Sequence, residues 1–201
     1  MNEMAGLFAS PADTEALAGL HRKLERAAQA EDLLDVAYTT VDSPLGTLLL
    51  AATPRGIARV AYEVEDHERV LETLASKLSP RVLRAPKQLD AAARELDEYF
   101  GGRRRAFDLP LDLSLSKGFR LLVQQHLPEI GYGQTRSYRQ VAELVGNPRA
   151  VRAVASACST NPLPVVVPCH RVVLSDGRSG DYVGGAAVKT TLLALEGGNQ
   201  A

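Results

Sequence analysis

Apolar positions change period along this chain, and the changes mark its elements. Leu17, Leu20, Leu24 and Ala27 recur at three- and four-residue intervals among charged neighbours. Residues 12–34 are therefore predicted to form an amphipathic helix, packed on the main body or frayed as an extension. Residues 36–42 alternate apolar and polar, and 48–52 and 57–64 are short apolar runs. Ser43-Pro44-Leu45-Gly46 and Pro54-Arg55-Gly56 punctuate them, which predicts a β-meander. Two helices follow in the pattern. One spans 67–77 with Val70, Leu71, Leu74 and Leu78 as its stripe; the other spans 89–100 and stops at Gly101-Gly102.

After residue 116 the period is helical throughout. Phe119, Leu122, Val123 and Leu127 make one stripe, and Gly131-Tyr132-Gly133 a turn. Ser137 suits the N-cap of a helix over 138–145. Gly146 then breaks the chain, Asn147 suits a second N-cap, and Pro148 a first helical position for a helix reaching about Cys158. Two short helices across a tight glycine turn fit a helix-turn-helix, a pattern that many purely structural helix pairs share.

Composition adds limits. With 201 residues, 45% hydrophobic and 23% charged, the chain can bury a core in one large or two small domains. Two cysteines exclude a disulfide framework and a four-cysteine zinc site. No apolar run approaches the ~20 residues of a membrane helix. The N-terminus lacks the basic start and apolar block of a signal peptide, so a cytoplasmic protein is expected. The net charge of −1 hides a gradient. From residue 117 onward nine Lys or Arg stand against five Asp or Glu; before it, fourteen stand against nineteen. A basic C-terminal part is the part to meet a polyanion. Arg103-Arg104-Arg105 lies in the acidic part and reads as a solvated loop rather than a DNA patch.

The candidate chemistry is at Asn161-Pro162-Leu163-Pro164-Val165-Val166-Val167-Pro168-Cys169-His170-Arg171-Val172. Prolines stiffen this run and limit its hydrogen bonding. A thiol beside an imidazole and a guanidinium suits an activated nucleophile, since nearby cations lower a cysteine pKa. A small buried core residue is the competing reading. In an extended segment Cys169 and His170 would point to opposite faces, so they meet only if the chain bends there. Cys158 has no such neighbours and reads as helix packing.

Pro168-Cys169-His170-Arg171-Val172 resembles the active-site signature of the methylated-DNA–protein-cysteine methyltransferases, or O6-alkylguanine-DNA alkyltransferases. The resemblance spans roughly residues 36–197. It includes Tyr132 to Tyr138 entering the helix-turn-helix, Gly146 to Val154 as its recognition helix, and Gly180 to Gly185 with 189–196 as a closing loop and helix. It implies an α+β protein with a helical extension (1–35). A small N-terminal α/β domain with an antiparallel, ribonuclease H-like sheet (36–112) and a C-terminal winged helix-turn-helix domain (116–201) would follow.

The reaction so implied moves an alkyl group from O6 of guanine in double-stranded DNA, with O4-alkylthymine as a second substrate, irreversibly to the protein. It needs no cofactor and no metal, and a monomer suffices. SN2 attack at an alkyl carbon wants a soft thiolate, which Cys169 supplies. His170 resembles the family's base, acting through a water, and Glu196 the acid that orients it, a triad logic with sulfur as nucleophile. Tyr138 resembles the donor to the leaving guanine, and Asn161 the residue tying the helix-turn-helix to the active-site turn. The reacting carbon is stacked inside the duplex, so the nucleotide must be flipped out. Arg152 resembles the arginine that fills the gap. Ala150, Val151 and Ala153 give a small-residue surface for the minor groove, and Arg136, Arg139 and Arg149 suit phosphates. Pro164, Val172, Tyr182 and Val183 would line the alkyl pocket.

Ser116 to Gln124 departs from the family's segment before the helix-turn-helix. Gly131 stands where a proline is usual, and Val183 where some members have serine. The N-terminal cysteines that bind zinc in some members have no counterpart. Three other readings compete: a lesion-binding alkyltransferase-like protein, which would lack the cysteine; a DNA-binding redox regulator; and a Cys-His-Glu hydrolase, for which no oxyanion-hole motif is found.

Overall fold

The structure, a computed structural model, describes residues 11–31 and 33–197. Helix α1 (Pro11–Ala30) precedes the meander β1 (Val36–Val41), β2 (Leu48–Thr53) and β3 (Gly56–Tyr62). Helix α2 (His67–Lys77) leads to β4 (Val82–Arg84), then α3 (Asp90–Phe100). The sheet runs β3-β2-β1-β4. The meander pairs antiparallel as its turns predict, whereas β4 joins β1 in parallel. The sequence pattern gave no sign of β4, because three half-exposed residues carry no alternation. Asp66 caps α2, its carboxylate accepting from the amides of Glu68 and Arg69.

The second half holds α4 (Gly118–His126), α5 (Tyr138–Leu144), α6 (Val151–Ser159) and α7 (Ala186–Gly197). The two-residue strands β5 (Arg136–Ser137) and β6 (Val172–Val173) pair in parallel. Ser137 caps α5 in a full capping box with Gln140. The start of α6 differs from expectation. Asn147 is not its cap; the Asn147 carbonyl closes a turn onto the Ala150 amide, and the helix begins only at Val151. Pro148 and Arg149 therefore lie in the turn.

The first helix also departs from expectation. It ends at Ala30, and its leucines do not face the body: Leu17, Leu20 and Leu24 are 63, 60 and 54% exposed. Another face docks, through buried Glu25, half-buried Ala28 and a 2.6 Å contact of His21 Nε2 with the Arg84 carbonyl.

One apolar core joins the two halves, running from Leu48, Leu50 and Leu96 to Val123, Val154 and Leu192. Strand β3 lies at the sheet edge and is covered there. Its Val60 amide donates to the Pro162 carbonyl at 2.9 Å, and Ile57 pairs with the Pro110–Asp112 connection. Gly56 permits that approach: at φ +138° a Cβ would lie 2.2 Å from the Pro110 carbonyl oxygen. An edge strand otherwise open to pairing thus holds the segment that leads to Cys169. The arginine triplet is occupied by local acids and a ring. Arg103 pairs with Asp97, Arg104 with Glu95, Glu98 and Asp108, and Arg105 lies over Tyr132.

Candidate active site

The proline-rich run does not stay extended. Val165 adopts φ 72°, unusual for a β-branched residue. The Val167 amide bonds back to the Leu163 carbonyl at 2.8 Å, and residues 169–171 form one 3-10 turn. This is the bend that an alternating strand would have lacked. Cys169, His170 and Arg171 all end up buried. Asn161, 1% exposed, braces the bend. Its Nδ2 donates to the Val167 carbonyl at 2.8 Å and to Cys169 Sγ at 3.1 Å, while its Oδ1 accepts from the Leu163 amide.

Glu196 is the hub. Its carboxylate accepts from Tyr99 at 2.7 Å, from His170 Nε2 at 2.9 Å and from Arg171 through Nε and Nη2 at 2.9 Å each. The Gly133 amide adds a fifth donor at 3.1 Å. Burial works to raise its pKa. The hydrogen bonds from His170 and Arg171 outweigh that and bring it to about 2, so the group is an ionised carboxylate. An ionised carboxylate only accepts, so the His170 proton sits on Nε2. His170 Nδ1 is left with a free lone pair, buried and without a hydrogen-bond partner among the described residues. Burial, with Arg171 and Lys189 adding to it, lowers the His170 pKa despite Glu196, which keeps the ring neutral.

The thiol is not activated as its sequence neighbours suggest. Burial pushes Cys169 up to about 11, with the Asn161 hydrogen bond and the Lys189 charge pulling the other way. Arg171 does not serve it, because its guanidinium is committed to Glu196 and to the Ile130 carbonyl. Lys189 is the cation that sequence reasoning missed. It is fully buried, donates to the Val172 carbonyl at 2.6 Å and lies 5.7 Å from the Tyr138 ring centroid. A signal for it existed: Lys189, Leu192 and Glu196 recur at helical spacing on the buried stripe of α7. Tyr99 and the structural use of Arg171 were missed as well, since neither has a local pattern.

The other candidate residues fall into three groups. Tyr138 is half-buried at the start of α5, its pKa raised to about 12 chiefly by burial, with its hydroxyl beside Gly180. Pro164, Val172 and Tyr182 are buried, and the Tyr182 hydroxyl meets that of Tyr62 from β3 at 3.0 Å; Val183 is half-buried. On α6, Val154, Ala157 and Cys158 face the core. Arg152 and Ala153 are exposed, and Val151 and Ala150 partly so; Arg136, Arg139 and Arg149 are exposed nearby.

The two central ionisations make the fold acid-sensitive. His170 titrates below its ordinary 6.5 and Glu196 below its ordinary 4.5. Both pKa values are depressed by folding, so each contribution is present above the ordinary value and is lost as pH falls through the folded one. Urea midpoints are expected to drop first as pH falls from about 7 to about 5, and further below about 4.5. His170→Gln should abolish the first stage and weaken the second, because the imidazole is also one of the groups that hold the Glu196 pKa down.

Comparison with known proteins adds independent information. Residues 36–113 match the family model described as the ribonuclease-like domain of 6-O-methylguanine DNA methyltransferase. Residues 118–198 match its DNA binding domain. The methylated-DNA–protein-cysteine methyltransferase of Methanosarcina barkeri is 36% identical over 162 residues, covering 81% of this chain and 98% of its own length. The constitutive enzyme of Bacillus subtilis is 40% identical over 163 residues, covering 79% and 91%. A crystal structure of the Mycobacterium tuberculosis protein in complex with DNA superposes with a TM-score of 0.71 at 35% identity, covering 81% and 93%.

Proposed function

From the premise that this chain belongs to the methylated-DNA–protein-cysteine methyltransferase family, we infer how its own residues divide the work. The protein is a DNA-repair methyltransferase that binds DNA and transfers an alkyl group from it to one of its own cysteines. Residues 36–112 form the N-terminal domain in this reading, and 116–201 the domain that meets DNA and carries the thiol. The substrate is O6-alkylguanine in duplex DNA, with O4-alkylthymine as a second substrate.

Cys169 Sγ attacks the alkyl carbon. The new C–S bond forms as the C–O6 bond breaks, and the electron pair leaves with guanine. The thiol proton passes through a water to His170 Nδ1. The observation that carries this step is the buried Nδ1 lone pair, fixed by the Glu196 hydrogen bond to Nε2. A resting thiol with a pKa near 11 makes such a base necessary. Tyr138 donates to the departing guanine, and Lys189 places a positive charge beside the same site. Asn161 holds the sulfur in line.

The nucleotide is flipped to reach the thiol, and Arg152, exposed on α6, takes its place in the stack. Ala150, Val151 and Ala153 let α6 sit close in the minor groove, while Arg136, Arg139 and Arg149 meet phosphates. Pro164, Val172, Tyr182 and Val183 surround the alkyl group. Each chain carries the whole constellation, so the monomer is the reactive unit. No helix among the described residues is long and apolar enough to cross a membrane, and we place the protein in the cytoplasm.

Incubation with a duplex bearing O6-methylguanine tests the reading. Intact mass should show one adduct of about 14 Da per chain, with transfer ending at one equivalent. Repair continuing over many equivalents would overturn the stoichiometric mechanism.

A further inference from the structure

A side chain of the sheet reaches the reactive pocket. Tyr62 ends β3 and is buried, and its hydroxyl lies 3.0 Å from that of Tyr182. The two rings stand edge to face with centroids 5.9 Å apart, and Tyr182 stands edge to face on the His170 ring at 6.5 Å. Local contacts fix Tyr62 where it is. Its amide donates to Glu65 Oε1 at 2.9 Å, Glu65 pairs with Arg59, and Arg59 Nη1 donates to the Pro162 carbonyl at 3.1 Å. Gly184 leaves room for the ring, since a Cβ there would lie 2.9 Å from its Cδ2 and Cε2. The end of β3 thus touches both segments that flank the thiol, at Pro162 before it and at Tyr182 and Gly184 after it.

The hydroxyl pair has a proton to spare. Each phenol carries one proton and can also accept, and the bond they share uses one of the two. When Tyr62 donates, the spare proton is on Tyr182. Tyr182 is the phenol that acts on the sulfur. Burial dominates the Cys169 pKa, but Asn161, Lys189 and a hydrogen bond from Tyr182 oppose it by favouring the thiolate. Burial raises the pKa of both phenols, and the nearby Cys169 charge adds to it, so both keep their protons and remain donors.

We propose, taking Cys169 as the alkyl acceptor, that Tyr62 is a positioning residue for transfer: by donating to the Tyr182 oxygen it commits the Tyr182 proton to Cys169 Sγ as the thiolate forms. A charged acceptor makes the stronger hydrogen bond, so the line from Tyr62 through Tyr182 to sulfur tightens only when the sulfur ionises. The thiol proton itself still leaves for His170. With the resting thiol near 11, a larger thiolate fraction outweighs the loss of nucleophilicity that accompanies a lower pKa. The benefit therefore falls on the transfer step and not on DNA binding.

Single-turnover transfer from an O6-methylguanine duplex to the full chain, followed by intact mass, tests this. Tyr62→Phe keeps the ring and removes the hydroxyl. Its rate at saturating DNA should fall about threefold near neutral pH, with affinity for the duplex unchanged. Raising the pH should narrow the gap, because the thiolate then forms without help. Tyr182→Phe should also be slow, and adding Tyr62→Phe to it should cost nothing more, since Tyr62 acts through Tyr182. A merely structural role would lower the urea midpoint and leave the gap independent of pH. A Tyr62→Phe chain with the wild-type rate, a loss that persists in the Tyr182→Phe background, or a loss in affinity instead of rate overturns the proposal while Cys169 is still alkylated. A wild-type chain with no adduct on Cys169 overturns the assignment of the acceptor, and the role of Tyr62 with it.

Discussion

Cys169→Ala is expected to abolish alkyl transfer completely while leaving affinity for a lesion-bearing duplex essentially unchanged. The two outcomes separate because the groups are separate. The groups assigned to DNA lie along β5, α5, the turn after it and the exposed face of α6, whereas Cys169 is 1% exposed. The sulfur accepts a hydrogen bond from Asn161 and is otherwise packed in the core, so removing it should disturb the fold little. Intact mass after incubation with O6-methylguanine duplex should show no adduct, and gel shift or fluorescence anisotropy should show binding retained. Cys158 remains in this variant and should stay unmodified, because it is buried on the core side of α6 and burial raises its pKa strongly. An adduct on Cys158, or loss of binding together with transfer, would refute the assignment.

Glu196→Gln is expected to cost about 3–5 kcal/mol of stability, because it leaves the buried Arg171 guanidinium without its counter-charge. Few single changes elsewhere in the molecule should cost as much. The carboxylate serves Tyr99, Gly133, His170 and Arg171 together, and a neutral amide replaces only part of that. The urea midpoint should fall with the m-value unchanged. Adding Arg171→Met to Glu196→Gln should recover part of the loss, since the second change removes the stranded charge. Transfer should also slow beyond the effect of stability, because the His170 proton is no longer held on Nε2. A Glu196→Gln protein as stable as wild type would contradict the hub described here.

Much of the fold was readable because turn chemistry and period are local properties. The meander announces itself through Ser43-Pro44-Leu45-Gly46 and Pro54-Arg55-Gly56, and the start of α5 through Ser137 as its N-cap. What was not readable depends on contacts far apart in sequence. Strand β4 exists because β1 offers it an edge, not because Val82–Arg84 alternates. The thiol's environment is set by Asn161, eight residues before it, and by Lys189, twenty after, while the adjacent Arg171 serves Glu196 instead. Glu196 alone resembles any helix-end acid; only the family resemblance, or its place on a stripe with Lys189 and Leu192, marks it. The leucines of α1 illustrate the reverse error. Their helical period was plain, but period shows that a face is apolar and not what covers it.

The hub has a consequence for how the protein is made. Tyr99, Gly133, His170 and Arg171 all precede Glu196 in the chain, and each leaves the ribosome without the carboxylate it will share. At about 5–20 residues per second, Arg171 waits on the order of seconds for its partner. Until α7 docks, the His170 ring has no acceptor to fix its proton on Nε2, and its Nδ1 lone pair is not held toward the thiol. The oriented base thus arrives with α7 rather than with the cysteine itself.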